Sequence, residues 1–457
     1  MKDQYFPAYH FRPEKNWMND PNGLIWKDGW YHLFYQYNPG ADIWGDIHWG
    51  HARSRDLLHW EQEPIALAPS REDGEIHCYS GCAVNRGDKT FLFYTSIGEG
   101  ERGPKEGAEQ WSAVSVDSAL RVFDKYKKPA LGQDIHAPYH VSMWRDPFIW
   151  REEAAYRLLL SGTMEGKGCI LLYGSENLES WNFISVFYRT ERYELIECPA
   201  IMKFGERYVL LYSPLDGVRY AIGTIDAKTF TFQVQEEGIF DHSVMKKGFY
   251  AANVFADDPK GRYLVMGCLF EGDRLDSPRK RGWAGMQSLP REVRLDEKLK
   301  IAPADECRNL RREKLSGLPD MENGAIHARG AAQELFLSYQ ASPDMKIEMK
   351  LFCSADQKEC TTLVIDHKKG TILLDRSRST EYEDVTTEPI TASFSPETRE
   401  YTVDVFTDHS AVELFFDDSL TVSARVFPKN PQSICSEICF SDAAAVTEAS
   451  IYRLGLS

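Results

Sequence analysis

Three acidic residues in this sequence each have a proline within the next two positions. They occur in the stretches Asn19-Asp20-Pro21, Arg145-Asp146-Pro147 and Glu197-Cys198-Pro199. Proline fixes φ and lacks a backbone donor, so each acid is expected at a stiff, irregular strand start. Carboxyl groups held close together can perform acid–base or nucleophilic chemistry, because one stays ionised while another keeps its proton. The three acids can cooperate only if the fold brings them together.

A repeat of short strands organises the first 300 residues. Five apolar and aromatic segments begin 60, 65, 52 and 55 residues apart, and four of them follow a glycine-containing turn. They span residues 31–35, 91–94, 156–160, 208–212 and 263–266. Each segment is predicted to be the second arm of a hairpin. The repeat predicts an all-β domain over residues 1–300, a five-bladed β-propeller.

The repeat also predicts where the acids lie. Asp20, Ser80, Asp146 and Glu197 each lie 10 or 11 residues before the start of their segment, and Ala251 lies 12 before the fifth. Equivalent positions of successive blades form a ring about the propeller axis, so the three acids are expected to converge. Considered alone, each acid is more typical of an ordinary turn residue than of a catalytic group. Their recurrence in register favours a catalytic site, and glycoside hydrolysis is the leading chemistry for such carboxyl groups.

The pattern changes after residue 291. Residues 301–324 are charged and contain Pro303, Gly317 and Pro319, so a linker is predicted there. Short alternating strands follow, and residues 325–457 are predicted to form a β-sandwich.

Length and composition exclude several classes of protein. The chain has 457 residues, too many for one hydrophobic core, and its formal net charge is −16, which disfavours nucleic acids and anionic membranes as partners. No apolar run approaches a membrane span, and the N-terminus has no signal-like core, so a cytoplasmic location is expected. Ten cysteines are too sparse for a disulfide scaffold, and mostly reduced thiols are expected.

Competing motifs are weaker. Gly98-Glu99-Gly100-Glu101-Arg102-Gly103 matches a dinucleotide fingerprint, but Pro104 and two glutamates argue for a surface loop. His48 and His51 lack the helix that a metal pair would need, so no metal site is predicted. The run Arg279-Lys280-Arg281 is interpreted as a solvated loop, with attraction of a phosphorylated sugar as the alternative.

The acid motifs resemble the three signatures of glycoside hydrolase family 32, which contains invertases, sucrose-6-phosphate hydrolases, levanases, inulinases and some fructosyltransferases. The resemblance extends over nearly the whole chain. It includes the stretches Trp17-Met18-Asn19-Asp20-Pro21-Asn22-Gly23, Phe34-Tyr35-Gln36-Tyr37-Asn38-Pro39, Tyr79-Ser80-Gly81 and Gly282-Trp283-Ala284-Gly285. It implies a five-bladed propeller with a β-sandwich and a retaining mechanism.

Roles for individual residues follow from the resemblance by position. Asp20 is implied as the nucleophile, Glu197 as the general acid/base, and Asp146, beside Arg145, as a group that stabilises the transition state. Asn19, Gln36, Trp44 and Ser80 are implied to line the fructose pocket. Trp283 is a candidate aromatic at the rim, with a place in the core as the alternative.

The expected activity is that of a β-fructofuranosidase acting on a small-molecule fructoside without a metal or organic cofactor. Two departures from the family pattern, Ala200 after Glu-Cys-Pro and Cys82 after Ser-Gly, leave fructosyl transfer open. A catalytically silent sugar-binding propeller is a third hypothesis. The sequence leaves a homo-oligomer open.

Overall fold

The chain is folded almost entirely into β-strands. The computed structural model describes residues 3–243, 248–271, 281–322 and 324–457. The strands of the first part are β1 (Asn16–Lys27), β2 (Trp30–Asn38), β3 (His48–Ser54), β4 (Trp60–Leu67), β5 (Glu75–Arg86), β6 (Lys89–Gly98), β7 (Glu109–Ser115), β8 (Phe123–Lys125), β9 (Ser142–Glu152), β10 (Ala155–Met164), β11 (Lys167–Ser175), β12 (Asn182–Arg189), β13 (Glu197–Phe204), β14 (Arg207–Ser213), β15 (Val218–Ile225), β16 (Phe232–Asp241), β17 (Phe249–Val254), β18 (Tyr263–Leu269), β19 (Trp283–Ala284), β20 (Met286–Gln287), β21 (Arg291–Leu295) and β22 (Leu299–Pro303).

The second part has β23 (Arg311–Gly317), β24 (Ala325–Arg329), β25 (Ala332–Gln340), β26 (Lys346–Cys353), β27 (Cys360–Asp366), β28 (Thr371–Arg378), β29 (Ile390–Ser393), β30 (Glu400–Asp408), β31 (Ala411–Phe416), β32 (Leu420–Arg425), β33 (Cys435–Phe440) and β34 (Val446–Leu454). Short 3-10 turns in the described residues include Arg71–Asp73, Gly100–Arg102, Gln133–His136, Asp305–Leu310, Leu318–Asp320 and Ala443–Ala445.

The first part contains five small sheets that follow one another along the chain. Four consecutive strands build each of the first four sheets, beginning with β1, β5, β9 and β13. The fifth contains β17, β18, β20, β21 and β22, and β19 adds to the first sheet by pairing in parallel with β1. The five repeat segments lie in β2, β6, β10, β14 and β18, each antiparallel to the strand before it. The hairpin prediction is confirmed.

The repeat segments are apolar because both of their faces are covered. Leu158, Leu159 and Leu160 are consecutive residues of β10, and all three are fully buried. Such a strand has neighbouring sheets on both sides and shows a continuous apolar run instead of alternation. The first strands of the sheets also contact one another in the order β1, β5, β9, β13, β17 and back to β1.

The second part contains two six-stranded sheets. One has the order β23-β34-β25-β30-β31-β32 and the other β24-β33-β26-β27-β28-β29. Strand β26 shows why they pack face to face: Ile347, Met349 and Leu351 are buried, whereas Lys346, the residue before Ile347, is exposed. This alternation gives each sheet one apolar face for a shared core.

The prediction of a linker at 301–324 is wrong over much of its length. Residues 299–303 form the last strand of the fifth sheet, and Arg311–Gly317 pairs with the C-terminal strand β34. Polar and charged side chains are tolerated in this segment because β23 is an edge strand, with one side left unpaired.

Eight cysteines are free, in line with the expectation of mostly reduced thiols. The exception is a disulfide between Cys353 and Cys360, at the end of β26 and the start of β27. None of the helices in the described ranges has the length and apolar character that a membrane crossing requires.

A buried ionic network joins the two parts. Arg291 of β21 donates to Asp241 (2.8 Å) and to Glu413 of β31 (2.9 Å), and none of the three side chains is exposed. His10 bridges Glu413 and Asp408 of β30, at 2.9 Å from each. Burial alone would lower the pKa of His10, but its hydrogen bonds to Asp408 and Glu413 outweigh burial and raise the pKa to about 9.

This network predicts a pH-dependent stability. Because the pKa of His10 rises from 6.5 in the unfolded chain to about 9, its contribution is complete below pH 6.5 and is lost as the pH rises through 9. That contribution is on the order of 3 kcal/mol. Thermal unfolding between pH 6 and 9 should show the loss in the wild type, whereas His10→Gln should be less stable and should lack this slope.

His140→Gln is the matched control, since the His140 side chain is 83% exposed. It should unfold with the pH dependence of the wild type. An unchanged slope in His10→Gln would contradict the assignment.

Candidate active site

One irregularity recurs in the first strand of all five sheets. In each, two consecutive residues lie opposite a single residue of the second strand, which is the definition of a β-bulge. The bulged pairs are 19–20 opposite 36, 79–80 opposite 95, 146–147 opposite 160, 198–199 opposite 212, and 251–252 opposite 267. Bulges re-aim side chains, and here five of them lie on strands that contact one another in a ring.

The three acids lie at three successive positions of this bulge. Glu197 is the last paired residue before its bulge, Asp146 is the first bulged residue, and Asp20 is the second. The prediction that they occupy equivalent positions is therefore wrong by one residue at each step, because the distance to the second strand varies with the hairpin. The three acids nevertheless lie close together, as predicted: Cys198, the residue after Glu197, contacts both Asp20 and Asp146.

The backbone conformation of the bulges also helps to orient the side chains. Asp146 has φ 63° and Cys198 has φ 49°, and both are the first residue of their bulge. Left-handed φ values at non-glycine residues cost on the order of 1 kcal/mol or more and tend to cluster at functional sites. Gly81 acts differently: a Cβ there would lie 1.9 Å from the carbonyl oxygen of Phe93, so only glycine lets the strand place Ser80.

Asp20 is held by hydrogen-bond donors from two sheets. Ser80 Oγ donates to Asp20 Oδ2 (2.7 Å), Asn19 Nδ2 donates to Oδ1 (2.9 Å), and Gln36 Nε2 lies 3.4 Å from Oδ2. Burial and, to a smaller extent, the charge of Glu197 raise the pKa of Asp20 to about 6, although the bonds from Ser80 and Asn19 oppose the rise. The predicted pocket residues Asn19, Gln36 and Ser80 therefore share one network around this carboxylate.

Asp146 is coupled to Asp20 through Cys198. The Cys198 N–H donates to Asp146 Oδ2 (3.0 Å), and its Sγ lies 3.7 Å from that oxygen and 3.8 Å from Asp20 Oδ2. Burial and, to a smaller extent, the charge of Glu197 raise the pKa of Asp146 to about 7 against the opposing charge of Arg145. The pKa of Asp146 is thus raised above that of Asp20, so Asp20 ionises first as the pH rises.

Glu197 receives one partner on each oxygen. Arg145 Nη1 lies 3.3 Å from Oε1, and the Tyr250 hydroxyl donates to Oε2 (2.7 Å). Its side chain is 20% exposed, against 9% for Arg145, so it is open to a ligand. Tyr250 was missed as a site residue, although it occupies the same place relative to its bulge as Glu197.

The predicted aromatic residues have different outcomes. Trp44 is 39% exposed and packs against His77 and Tyr79, with ring centroids 5.3 and 6.1 Å apart. The Arg145 guanidinium lies 5.8 Å from the Tyr79 ring centroid, which places Trp44 at the outer edge of the site.

Trp283 is not a rim residue. It is 3% exposed, and its ring packs against Phe6 at 6.2 Å, so the alternative of a core tryptophan is confirmed. The neighbouring Arg281 is paired with Glu271 at 2.6 Å and is not solvated, whereas Arg279 and Lys280 lie outside the described residues.

The weaker motifs form no second catalytic site. After Gly98 the chain makes only the 3-10 turn Gly100–Arg102, so no helix start is available for a pyrophosphate. His51 is buried, and its Nε2 lies 2.9 Å from Nδ1 of His32, so it is a structural histidine. In the part of the chain that the structure describes, no three His, Cys, Asp or Glu side chains are grouped to hold a metal ion.

Comparisons with known proteins agree with this site. The model of the Glycosyl hydrolases family 32 N-terminal domain matches residues 10–303, and that of the family 32 C terminal matches residues 306–453. A sucrose-6-phosphate hydrolase of Zymomonas mobilis is 32% identical over 94% of this chain and 88% of its own length. A raffinose invertase of Escherichia coli is 28% identical over 98% of this chain and 95% of its own length.

A solved structure shows the same fold. The GH32 beta-fructofuranosidase of Bombyx mori superposes with a TM-score of 0.81 and 28% identity, over 99% of this chain and 94% of that one. The two family models together cover nearly all of the sequence, and the three acid motifs lie within the first of them. The chain is a glycoside hydrolase and belongs to glycoside hydrolase family 32.

Proposed function

We propose that the protein is a retaining β-fructofuranosidase that hydrolyses terminal β-D-fructofuranosyl linkages of small fructosides. Sucrose, sucrose 6-phosphate and short fructo-oligosaccharides are the candidate substrates. The observation that carries the proposal is the convergence of Asp20, Asp146 and Glu197 in three different environments on adjacent first strands. Relatives named sucrose-6-phosphate hydrolase, raffinose invertase and levanase support it, as does a mutant of the silkworm protein solved in complex with sucrose.

The five sheets are proposed to be the blades of one closed propeller over residues 1–300, with the sandwich over residues 325–457. The ring of contacts among β1, β5, β9, β13 and β17 supports closure, and so does the parallel pairing of β1 with β19. In this arrangement the first strands surround the axis, and their bulges place the acids at one end of it.

In the first step, the Asp20 carboxylate attacks the anomeric carbon of the fructosyl unit. Glu197 gives its proton to the oxygen that leaves, so the glycosidic bond breaks as an ester to Asp20 forms. Asp20 suits the nucleophile because Ser80 and Asn19 donate to its ionised form. Arg145 holds the Glu197 side chain in place through its contact with Oε1.

In the second step, the Glu197 carboxylate takes a proton from water as the water oxygen attacks the same anomeric carbon. The ester to Asp20 breaks, fructose is released, and both acids return to their first protonation states. Asp146 is placed beside both groups to accept hydrogen bonds from fructose hydroxyls.

Fructosyl transfer is the alternative, with a sugar hydroxyl in place of water. The departure at Ala200 is buried at 1% exposure and pairs with Leu211. The side chain of Ala200 therefore lies in the core. It gives no support for a sugar acceptor, and water is the expected acceptor.

Replacement of the catalytic acids should abolish turnover. Asp20→Asn and Glu197→Gln are each expected to lower fructose release by about 10²-fold or more with ligand binding largely kept, because one removes the nucleophile and the other the transferable proton. Release of fructose from sucrose, sucrose 6-phosphate, inulin and levan, compared side by side, measures the effect and names the substrate. Asp124→Asn, at the exposed position of strand β8, is the control and should be fully active. Near-normal turnover in either acid variant would refute the assignment.

Activity should fall on the acid side near pH 6. Asp20 must be ionised to attack, and its pKa is about 6, so kcat/KM decreases as the pH drops below that value. Ser80→Ala removes a bond that stabilises the ionised form, so the acid limb should move to higher pH. In Ser185→Ala, whose hydroxyl donates to the Phe230 carbonyl oxygen, the limb should not move. An unmoved limb in Ser80→Ala would contradict the role of Asp20.

The products identify the acceptor and the stereochemistry. At high sucrose, glucose and fructose should be the main products, whereas abundant fructo-oligosaccharides would establish transfer. With methanol added, a retaining enzyme forms methyl β-fructofuranoside. NMR detection of the α anomer instead would exclude the fructosyl-enzyme.

A further inference from the structure

The Tyr250 hydroxyl lies between two acceptors. It is 2.7 Å from Glu197 Oε2 and 3.1 Å from the backbone carbonyl oxygen of Ser213. A phenol carries one proton, so it donates to only one of these oxygens at a time. Ser213 is the residue of β14 that pairs with Glu197 itself, so both acceptors belong to the same rung of the fourth sheet.

The surroundings of Tyr250 hold the ring in place and keep the proton on it. The side chain is 5% exposed and packs with Cys198, Ala251 and Cys268. Burial raises the pKa of Tyr250 well above its usual range, and the charge of Glu197 raises it further. The hydroxyl is therefore a fixed donor whose only freedom is rotation of the O–H bond.

The two oxygens of Glu197 are not equivalent. Arg145 approaches Oε1 at 3.3 Å, and a guanidinium remains a donor at every pH of interest. A group that always donates a hydrogen bond disfavours a proton on the oxygen that it contacts. Oε2 is therefore the oxygen that carries the catalytic proton, and Tyr250 is the group that responds to it.

We propose that Tyr250 is a positioning residue whose hydroxyl switches between Glu197 and the Ser213 carbonyl as Glu197 alternates between base and acid. The inference rests on the proposed function of Glu197. When Glu197 is ionised, Tyr250 donates to Oε2 and stabilises the carboxylate. When Oε2 carries the proton, the Tyr250 hydroxyl turns and donates to the backbone carbonyl oxygen of Ser213 instead. The Tyr250 hydroxyl thus keeps a hydrogen bond when Glu197 is protonated, because the Ser213 carbonyl oxygen is already in place to accept it.

Tyr250→Phe tests the switch, since it removes only the hydroxyl. Without the donor, the ionised form of Glu197 loses a hydrogen bond that its protonated form does not receive. The alkaline limb of the kcat/KM profile for sucrose should therefore move upward by about one pH unit. At the pH optimum kcat should fall about tenfold, and more than kcat/KM, because the second step uses the ionised form. A purely structural role would lower activity without moving the limb.

Tyr188→Phe is the matched control. Its hydroxyl also lies 2.7 Å from a glutamate, Glu237, but on strands β12 and β16 and away from the three acids. It should leave the profile unchanged. Tyr250→Phe should also melt close to the wild type, because the ring that fills the core is retained.

A measurement without turnover separates this inference from the proposed activity. With ¹³C-labelled glutamate carboxyls, the Glu197 resonance (assigned by its absence in Glu197→Gln) should titrate at higher pH in Tyr250→Phe than in the wild type. An equal titration in both proteins would overturn the switch even if fructose is released. A wild type that releases no fructose from any fructoside would instead refute the proposed function, while the titration still decides the contact.

Discussion

The candidate active site depends on one constraint, that several carboxyl groups are buried close together although their negative charges repel one another. A buried carboxylate is costly unless it is hydrogen-bonded, and like charges raise the cost further. The fold meets this by repeating a bulge in five neighbouring strands, so that each bulge turns a different polar group inward. Asp20 receives side-chain donors, Asp146 a backbone N–H, and Glu197 a guanidinium and a phenol. Different partners therefore place chemically alike groups in different environments.

Much of this organisation could be predicted because it follows from local patterns. The five apolar segments mark the second strand of each sheet in the first part, and a distance of 10 or 11 residues before them indicates Asp20, Ser80, Asp146 and Glu197. The exact position in the bulge could not be counted, because hairpin lengths differ by one or two residues among the sheets. Tyr250 was overlooked for the same reason: the count reached Ala251, one residue beyond it. A tryptophan such as Trp283 looks the same in the sequence whether it lies at the rim of a site or in the core. Only its packing in the fold distinguishes the two places.

The boundary between the two parts is harder to predict, because a charged segment of sequence usually indicates exposure to solvent. Residues 301–324 are charged, yet Arg311 donates to the buried Glu334 within the second part. Similarly, Arg291, Asp241, Glu413 and His10 are all buried, although nothing in their sequence surroundings indicates it. The ionic groups where the two parts meet form ion pairs between strands that are far apart in the chain. Breaking such a pair leaves an uncompensated charge, which is far more costly than losing an exposed pair.

The parallel pairing of β1 with β19 has a consequence for how the chain reaches this structure. Residues 16 and 283 are direct partners, so the first sheet acquires its last strand only after nearly the whole first part has been synthesised. The segment before β1 waits longer still, since the backbone N–H groups of residues 8–10 bind Asp408. Contacts this distant in sequence carry a large loop-closure entropy and form late. On the ribosome, the N-terminal strand must therefore remain without its final partner while the other sheets assemble.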